Sequence, residues 1–223
     1  MDNSSKLLGF IDQETYRGSV FASMFYSLSR FLVQFFTGAF YEIEVNYPKN
    51  FDPNKSYICV SNHRSLLDPP LIGSSLISNT TFIAKKELFK NKFFATLIYL
   101  CSSIYLDRDK PASSSLKIAK NLVNKFNWKL LIFIEGTRSK DEYLGQPQNG
   151  AIFLARLCKK PVLPIGISYR KSNISLFKTK VLINIGESYE IDKNQDIDSL
   201  SQDCLARIAN LCDYKLLEEA DSK

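Results

Sequence analysis

The chain of 223 residues contains a single histidine, His63, and the segment SNHRSLLD places Asp68 five residues after it. A neutral imidazole is a suitable general base near pH 7, and a carboxylate on its other ring nitrogen fixes the tautomer and stabilises the imidazolium that forms. The pair therefore suits removal of a proton from a hydroxyl group. The spacing alone leaves a second interpretation open, in which His63 is a polar side chain satisfied at a strand end.

Two further segments end apolar runs with groups that suit a phosphate. IFIEGTRS stops at Glu135 and then offers flexible backbone at Gly136, a hydroxyl at Thr137 and a planar, two-pronged cation at Arg138. IYLDRDK sets Arg108 between two aspartates, where the alternative is a surface ion pair with one of them. The residue types therefore indicate an anion site built from two guanidinium groups.

The elements that must position these groups alternate regularly after residue 40. Strand-like runs cover residues 41–47, 56–62, 80–85, 102–107, 130–136, 161–168 and 180–186, and helical stretches cover 65–76, 86–98, 112–126, 147–158 and 195–218. The alternation predicts one α/β domain whose mostly parallel, mixed sheet of about seven strands is flanked by helices. In such sheets ligands collect at the carboxyl ends of strands, where His63, Arg108 and Arg138 follow.

The segment VFASMFYSLSRFLVQFFTGAFY, residues 20–41, is the most apolar part of the chain. Its polar members Ser23, Ser27, Arg30 and Gln34 recur at helical spacing and form one narrow stripe. Because Arg30 and Gln34 would be costly in a bilayer centre, we expect a helix lying in the membrane interface rather than spanning it. Packing on the protein's own core is the alternative. We therefore expect residues 1–40 to form a membrane-interacting helical segment ahead of the α/β domain, 41–223.

Net charge and cysteine content indicate the partners and the redox environment that the protein suits. The formal net charge of +6 and a pI near 9.0 favour acidic partners, namely an anionic lipid surface, a phosphorylated ligand, an acidic carrier protein or nucleic acid. The 5 cysteines are odd in number and include no C-x-x-C, which indicates neither a disulfide framework nor a zinc site and favours a reducing environment. The first residues lack the basic-then-apolar layout of a secretory leader, so we expect none.

Four motifs occur in the order that a known family has them. They are Asn62, His63 and Asp68; Ser102, Tyr105, Leu106 and Arg108; the intact EGTRS from Glu135 to Ser139; and Val162, Leu163, Pro164 and Ile165. The chain thereby resembles, over about residues 40–190, the glycerophospholipid acyltransferases typified by 1-acylglycerol-3-phosphate (lysophosphatidic acid) acyltransferase. The segment AKKELFK, residues 84–90, is similar to the family's lysine-containing segment. Ser102 departs from the pattern, which has a glycine there.

The resemblance implies transfer of a fatty acyl group from a thioester, acyl-CoA or acyl-acyl carrier protein, to the free sn-2 hydroxyl of lysophosphatidic acid, giving phosphatidic acid. It implies that His63 deprotonates this hydroxyl for direct attack and that Asp68 orients His63. It further implies substrate-binding roles for Asn62, Lys85 (with Lys86 an equal candidate), Arg108, Glu135, Gly136, Thr137, Arg138 and Pro164. No metal and no cofactor beyond the acyl donor is implied.

Several alternatives stay open. The acceptor could instead be glycerol-3-phosphate, a lyso-ornithine lipid or another lysophospholipid, since these share the motifs. Outside this chemistry, the chain could be a thioester hydrolase or a non-catalytic basic protein that docks on anionic lipid; we expect no binding to nucleic acid. A serine nucleophile is disfavoured because the chain has no G-x-S-x-G elbow. We expect the protein at the cytoplasmic face of a membrane, peripheral or monotopic.

Overall fold

The computed structural model describes residues 20–85, 104–106, 113–174 and 177–217; for residues 20–22, 25, 84–85, 104–106, 113–115 it describes the main chain alone. The helices are α1 (Val20–Phe40), α2 (Asp68–Ser75), α3 (Ser113–Lys125), α4 (Gly150–Cys158) and α5 (Ile197–Ala209). The strands are β1 (Tyr41–Asn46), β2 (Ile58–Ser61), β3 (Thr80–Lys85), β4 (Ile104–Leu106), β5 (Lys129–Phe133), β6 (Tyr143–Leu144), β7 (Val162–Lys171), β8 (Thr179–Ile185) and β9 (Lys215–Leu216).

Seven of these strands form one sheet in the order β1-β8-β7-β2-β5-β3-β4. Every neighbouring pair is parallel except β7 with β8, which is antiparallel. Each strand run predicted from the sequence supplies one strand of this sheet, so the predicted fold class is confirmed. The short strands β6 and β9 form a separate parallel pair.

The sheet is covered on both faces, as the near-continuous apolar character of its central strands requires. Ile58 and Val60 of β2 pack with apolar residues of α3, α4 and α5. Their neighbours Tyr57 and Cys59 face the other way and pack with α2. This period-two alternation splits the core into two layers and leaves the carboxyl edge of the sheet for the loops that follow β2 and β5.

Helix α1 packs on α2 and the residues after it through two members of its polar stripe, Ser23 and Gln34, whereas Ser27 of the stripe is exposed. The Tyr26 hydroxyl donates to the Gly73 carbonyl over 3.0 Å, the Gln34 amide donates to the Ser74 carbonyl over 3.3 Å, and Ser23 accepts from Asn79. The outward face carries large apolar side chains with exposed fractions from 42% to 68%: Met24, Leu28, Phe31, Leu32, Phe35, Phe36 and Phe40. No helix in the described residues combines the length and apolar character needed to cross a membrane.

The C-terminal helix is shorter than the sequence predicts. The predicted helix covers 195–218, whereas α5 ends at Ala209 and the chain then folds back against β7 and β8. A Cβ on Gly166 would lie 2.3 Å from the Leu211 carbonyl oxygen, which shows how closely the main chain crosses the sheet there. Asn184 donates to that same oxygen over 2.8 Å. These long-range contacts outweigh local helix propensity. The predicted helix 86–98 and residues 1–19 lie outside the described residues.

Candidate active site

Strand register brings the loops after β2 and β5 side by side. Ser61 of β2 lies beside Phe133 of β5, so His63 and Glu135 each extend their strand by two further residues and remain neighbours. The His63 main-chain N–H donates to Glu135 Oε1 over 2.9 Å, and the Ser139 N–H donates to the His63 carbonyl over 3.0 Å. Two motifs that lie about seventy residues apart in the sequence therefore form one site at the carboxyl edge of the sheet.

The Asp68 carboxylate accepts hydrogen bonds from the loop that contains His63. The carboxylate is fully buried, and its Oδ2 lies 2.7 Å from His63 Nδ1. The same oxygen accepts the main-chain N–H groups of Arg64 over 2.6 Å and Ser65 over 2.7 Å. Asp68 is also the first residue of α2, and two prolines follow it in the first turn. Main-chain N–H groups in a first turn have no partner within the helix, so the prolines remove no helical hydrogen bond. The carboxylate is thus fixed by its helix and in turn fixes the imidazole.

The contact with Asp68 determines the chemistry of the ring. An ionised carboxylate can only accept hydrogen bonds, so the proton of neutral His63 lies on Nδ1 and Nε2 keeps its lone pair. The ring stacks on Phe133 with centroids 3.9 Å apart and planes at 18°. The His63 side chain retains 17% exposure. The arrangement is a positioned imidazole with one nitrogen available as a proton acceptor.

Glu135 holds the turn that follows β5. It is buried, and its Oε2 accepts the Gly145 N–H over 2.8 Å and the Ser139 hydroxyl, in addition to the His63 N–H on Oε1. Gly136 has φ = 67°, a left-handed conformation that a residue with a Cβ adopts only with strain. The carboxylate therefore organises the main chain of the turn from inside.

The same turn leaves Thr137 and Arg138 at the surface. Both are exposed, and Arg138 forms no ion pair with any other residue that the structure describes. A guanidinium group without a carboxylate partner can bind a phosphate in a bidentate manner without first breaking an ion pair. The turn, whose main chain is hydrogen-bonded to His63, therefore presents a cation at the surface.

The remaining predicted site residues either bond to the protein's own main chain or lie outside the described side chains. Asn62 is buried and its amide forms two hydrogen bonds of 2.9 Å with the main chain of Ile167, which ties the end of β2 to β7. Pro164 is buried within β7, where its carbonyl accepts the Gly186 N–H over 2.8 Å. Lys85 ends β3, and its side chain is not among those described. Arg108 lies outside the described residues, as do Ser102 and Lys86, so their predicted roles stay predictions.

Tyr169 belongs to the site although it lies outside the four sequence motifs. Its hydroxyl donates to Asp68 Oδ1 over 2.5 Å from a position 101 residues away in the chain. Burial raises the pKa of Tyr169 above its ordinary value, and the adjacent Asp68 charge raises it further, so the phenol stays protonated. Period-two alternation from Ile165 through Ile167 puts Tyr169 on the α2 face of β7, which was the available signal.

An open cleft of about 440 Å³ borders these residues. It is lined by Tyr41, Arg64, Ser65, Ser139, Lys140, Tyr169, Thr179 and Tyr214. The Arg64 guanidinium lies 3.8 Å from the centroid of the Tyr214 ring and donates to the carbonyls of Asp141 and Tyr143. A second cleft of about 480 Å³ between α1, β1 and the end of α2 shares Tyr41 with the first. Tyr41 thus lies between the cleft at the polar site and a groove under α1.

The described residues offer little for a covalent or metal-based mechanism. Burial raises the pKa of Cys59 to about 12, and those of Cys158, Cys204 and Cys212 to about 11, which disfavours thiolates. Ser139 donates its hydroxyl to Glu135 rather than to His63. Within the described part of the chain, no group of three His, Cys, Asp or Glu side chains lies close enough to hold a metal ion. The imidazole is therefore the best-positioned reactive group of this site.

Comparison with known proteins settles the family. A family model described as Acyltransferase matches residues 42–168, which include the loops after β2 and β5. The chain belongs to the acyltransferase family. This confirms the resemblance drawn from the four motifs. The match includes β2 to β5 in full and ends within β7, one residue before Tyr169.

Individual relatives agree with this assignment. A 1-acyl-sn-glycerol-3-phosphate acyltransferase of Streptococcus pneumoniae is 29% identical over 161 residues, covering 70% of this chain and 58% of the relative. A protein of the same name from Cocos nucifera is 35% identical over 125 residues, 53% of this chain and 40% of the relative. The chain thus spans about half the length of these two relatives. A Bacillus subtilis protein of that name is 27% identical over 65% of this chain and 72% of its own length.

A solved structure has the same fold. The crystal structure of a 1-acyl-sn-glycerophosphate (LPA) acyltransferase from Thermotoga maritima superposes with a TM-score of 0.61 at 22% identity, covering 95% of this chain and 84% of that chain. At this identity the likeness establishes the arrangement of strands and helices. The acyltransferase fold of this chain therefore rests on both a family match and a superposition.

Proposed function

We propose that this acyltransferase transfers a fatty acyl group from acyl-CoA or acyl-acyl carrier protein to the free sn-2 hydroxyl of lysophosphatidic acid, giving phosphatidic acid. The observation that carries the proposal is the contact of 2.7 Å between His63 Nδ1 and buried Asp68. The adjoining turn presents an exposed Arg138 that forms no ion pair with the residues described. A general base next to an anion site suits a substrate that carries both a hydroxyl and a phosphate. The names of the relatives supply the substrate class.

The proton follows a closed path in this mechanism. His63 Nε2 takes the hydroxyl proton as the acceptor oxygen attacks the thioester carbonyl, and Asp68 stabilises the imidazolium through the Nδ1 proton. When the tetrahedral intermediate collapses, the carbon–sulfur bond breaks and the imidazolium returns the proton to the departing thiolate. The ester is formed, the thiol is released and His63 is again neutral. The step uses no acyl-enzyme, no metal and no resident cofactor.

The phosphate end of the acceptor is proposed to lie against the turn after β5. Thr137 and Arg138 are exposed there, and Gly136 allows the main chain to approach a ligand closely. Arg108 and Lys85 are proposed to add positive charge, as the family resemblance implies. For Glu135 and Asn62 the described hydrogen bonds all run to the protein, so we propose that they hold the site in shape.

The exposed face of α1 supports association with a membrane surface. Tyr26 and Gln34 of α1 bond to carbonyls of α2, and the seven large apolar side chains on its outward face are left in solvent. Aromatic residues on such a face favour the headgroup boundary of a bilayer, and the net charge of +6 favours an anionic surface. We therefore propose peripheral or monotopic attachment to the cytoplasmic face, with α1 lying in the interface.

Vesicle binding tests this attachment. Phe35→Ser removes an apolar side chain that is 67% exposed on α1, and Phe153→Ser removes one that is 46% exposed on α4. We expect Phe35→Ser to weaken sedimentation with anionic phospholipid vesicles by about tenfold. The matched Phe153→Ser should bind as wild type does. Equal binding by all three proteins would rule out α1 as the contact surface.

Thiol release from acyl-CoA tests the reaction. Wild type and His63→Ala are assayed with and without lysophosphatidic acid, with folding matched by circular dichroism and with an acyl-acyl carrier protein as a parallel donor. We expect release that requires the acceptor and that falls by about a hundredfold or more in His63→Ala. Product analysis by mass spectrometry then identifies the acylated position.

The other outcomes separate the remaining functions. Equal thiol release by wild type without acceptor would indicate a thioester hydrolase. Release that requires glycerol-3-phosphate or another lysophospholipid in place of lysophosphatidic acid would change the acceptor and keep the chemistry. Acyl label that stays on the protein after an acid quench would contradict direct attack. No release with any donor or acceptor would leave a basic lipid-binding protein.

A further inference from the structure

We propose that Tyr169 is a positioning residue of this site, holding Asp68 Oδ1 so that Oδ2 stays on His63 and setting how strongly the pair retains a proton. The inference rests on the proposed general-base role of His63 and extends it to a residue outside the four motifs.

The two oxygens of Asp68 accept different numbers of hydrogen bonds. Oδ2 accepts from three donors, namely His63 Nδ1 and the main-chain N–H groups of Arg64 and Ser65. Oδ1 accepts from the hydroxyl of Tyr169 over 2.5 Å, the one donor to that oxygen among the described residues. The carboxylate is fully buried, so water does not replace this contact at low cost. Tyr169 therefore completes the hydrogen bonding of Asp68.

The tyrosine is itself held by the sheet. It lies in β7, where it pairs with Val181 of β8 in the antiparallel register, and its ring packs with the apolar layer on the α2 face. The bond to Asp68 thus joins the first residue of α2 to strand β7 of the sheet. Rotation of the carboxylate, which would move Oδ2 away from Nδ1, requires breaking this bond.

The hydrogen bond from Tyr169 to Asp68 also changes the electrostatic effect of the carboxylate on His63. The Tyr169 hydroxyl stabilises the anionic form of Asp68, which weakens the pull of the carboxylate on the imidazolium. Without the hydroxyl, more of that charge acts on the Nδ1 proton, and the coupled pair of His63 and Asp68 holds its proton to higher pH. Removing the hydroxyl should therefore move the acidic limb of activity upward in pH.

Other charged and titratable groups face the pair from the surrounding elements. They are Glu135 and Arg138 after β5, Arg64 before α2, Lys140 beyond the EGTRS turn, Tyr41 of β1 and Tyr214 before β9. The phenylalanine variant of Tyr169 leaves each of them in place, so a change in titration reports the lost hydroxyl.

The single histidine makes a direct test feasible. The imidazole of the full, tag-free chain in detergent micelles gives one histidine ring signal by NMR, because His63 is the only histidine. The titration midpoint of this signal and the pH profile of kcat/KM are measured for wild type, Tyr169→Phe and Tyr189→Phe. Tyr189 is the matched control because it packs in the opposite layer, beside Arg207.

In Tyr169→Phe we expect the imidazole midpoint and the acidic limb to rise together by about half to one pH unit. The plateau kcat should fall by roughly tenfold with the KM for the acceptor little changed. Tyr189→Phe should move neither the midpoint nor the limb.

The proposal is overturned if Tyr169→Phe is folded and leaves both the midpoint and the limb where wild type has them. A lower melting temperature with an unchanged midpoint would also overturn it, since that pattern shows packing alone. Failure of the general-base role is a separate result: His63→Ala would then keep activity, while the imidazole midpoint would still report whether Tyr169 acts on the pair.

Discussion

Two loops leave the carboxyl edge of the sheet side by side, and each is held by one buried carboxylate. After β2, Asp68 accepts an imidazole N–H and two main-chain N–H groups, so a reactive side chain is fixed. After β5, Glu135 accepts two main-chain N–H groups and a serine hydroxyl, so a stretch of backbone is fixed. The first loop presents an oriented ring, and the second presents exposed Thr137 and Arg138.

The difference follows from what each loop is proposed to do. Proton transfer requires atoms placed within a few tenths of an ångström, because a small displacement of the base removes much of its effect. Phosphate binding tolerates a mobile guanidinium, because the ligand itself orders the side chain on arrival. The comparison predicts that damage to Asp68 reduces kcat most, damage to Glu135 affects stability and kcat together, and damage to Arg138 acts on KM.

Asp68→Asn should have the largest effect. The amide can donate to Nδ1, which favours the tautomer with its proton on Nε2 and removes the proton acceptor. We expect kcat to fall by about a thousandfold with a smaller change in acceptor KM. Steady-state kinetics at several pH values measure this.

Asp203→Asn is the matched control, because Asp203 is an exposed carboxylate paired with Arg207 on α5. It should keep wild-type kcat. A folded Asp68→Asn protein with kcat within a few-fold of wild type would show that the pairing with His63 is structural, and the contrast between the loops would lose its basis.

Glu135→Gln should have the next largest effect and a different character. A glutamine keeps one acceptor oxygen and turns an NH₂ group toward donors, so at least one of the His63, Ser139 and Gly145 contacts is lost in a buried place. We expect the free energy of unfolding to fall by about 2 kcal/mol. Because the His63 main chain moves with the turn, kcat should fall by roughly thirtyfold.

Thermal unfolding and kinetics on the same preparation separate these two effects, with exposed Glu190→Gln as the control. We expect Tm to drop by about 5 °C in Glu135→Gln and to stay unchanged in the control. An unchanged Tm together with a raised acceptor KM would instead mean that Glu135 contacts the ligand.

The pattern of apolar runs predicted each of the seven sheet strands, because each buried strand is short, apolar and bounded by turn residues. It also placed His63 and Glu135 at strand ends. Their adjacency required the sheet order, which puts β5 next to β2 although β3 and β4 intervene in the sequence. Pairing between distant strands depends on packing that local periodicity does not express.

The same limit explains Tyr169 and the end of α5. Tyr169 lies one residue beyond the strand run predicted at 161–168, and its contact with Asp68 forms only because β7 extends further and lies beside β2. Likewise, the helix predicted to residue 218 stops because the main chain at Leu211 crosses Gly166 at very short range. For α1 the periodicity grouped Ser23 and Gln34, which contact the rest of the protein, with Ser27, which is exposed. Which face contacts the protein depended on the carbonyls that α2 offers.

Arg138→Gln should have the smallest effect and one confined to binding. The side chain is exposed and forms no ion pair within the described residues, so its loss should leave Tm unchanged. We expect the acceptor KM to rise by about tenfold and kcat to stay within about twofold. The rise should shrink as salt is added, because a phosphate contact at the surface is screened.

Lys193→Gln removes the same charge from an exposed position that lines neither cleft. It separates a local contact from the general attraction of a basic protein for an anionic substrate. Equal KM values for the two variants would assign the effect to net charge. A fall in kcat without a change in KM would mean that Arg138 acts on the reacting atoms, and then both loops would share the task of the chemical step. A KM effect confined to Arg138→Gln keeps the tasks apart, with the fixed ring after one strand and the exposed cation after its neighbour.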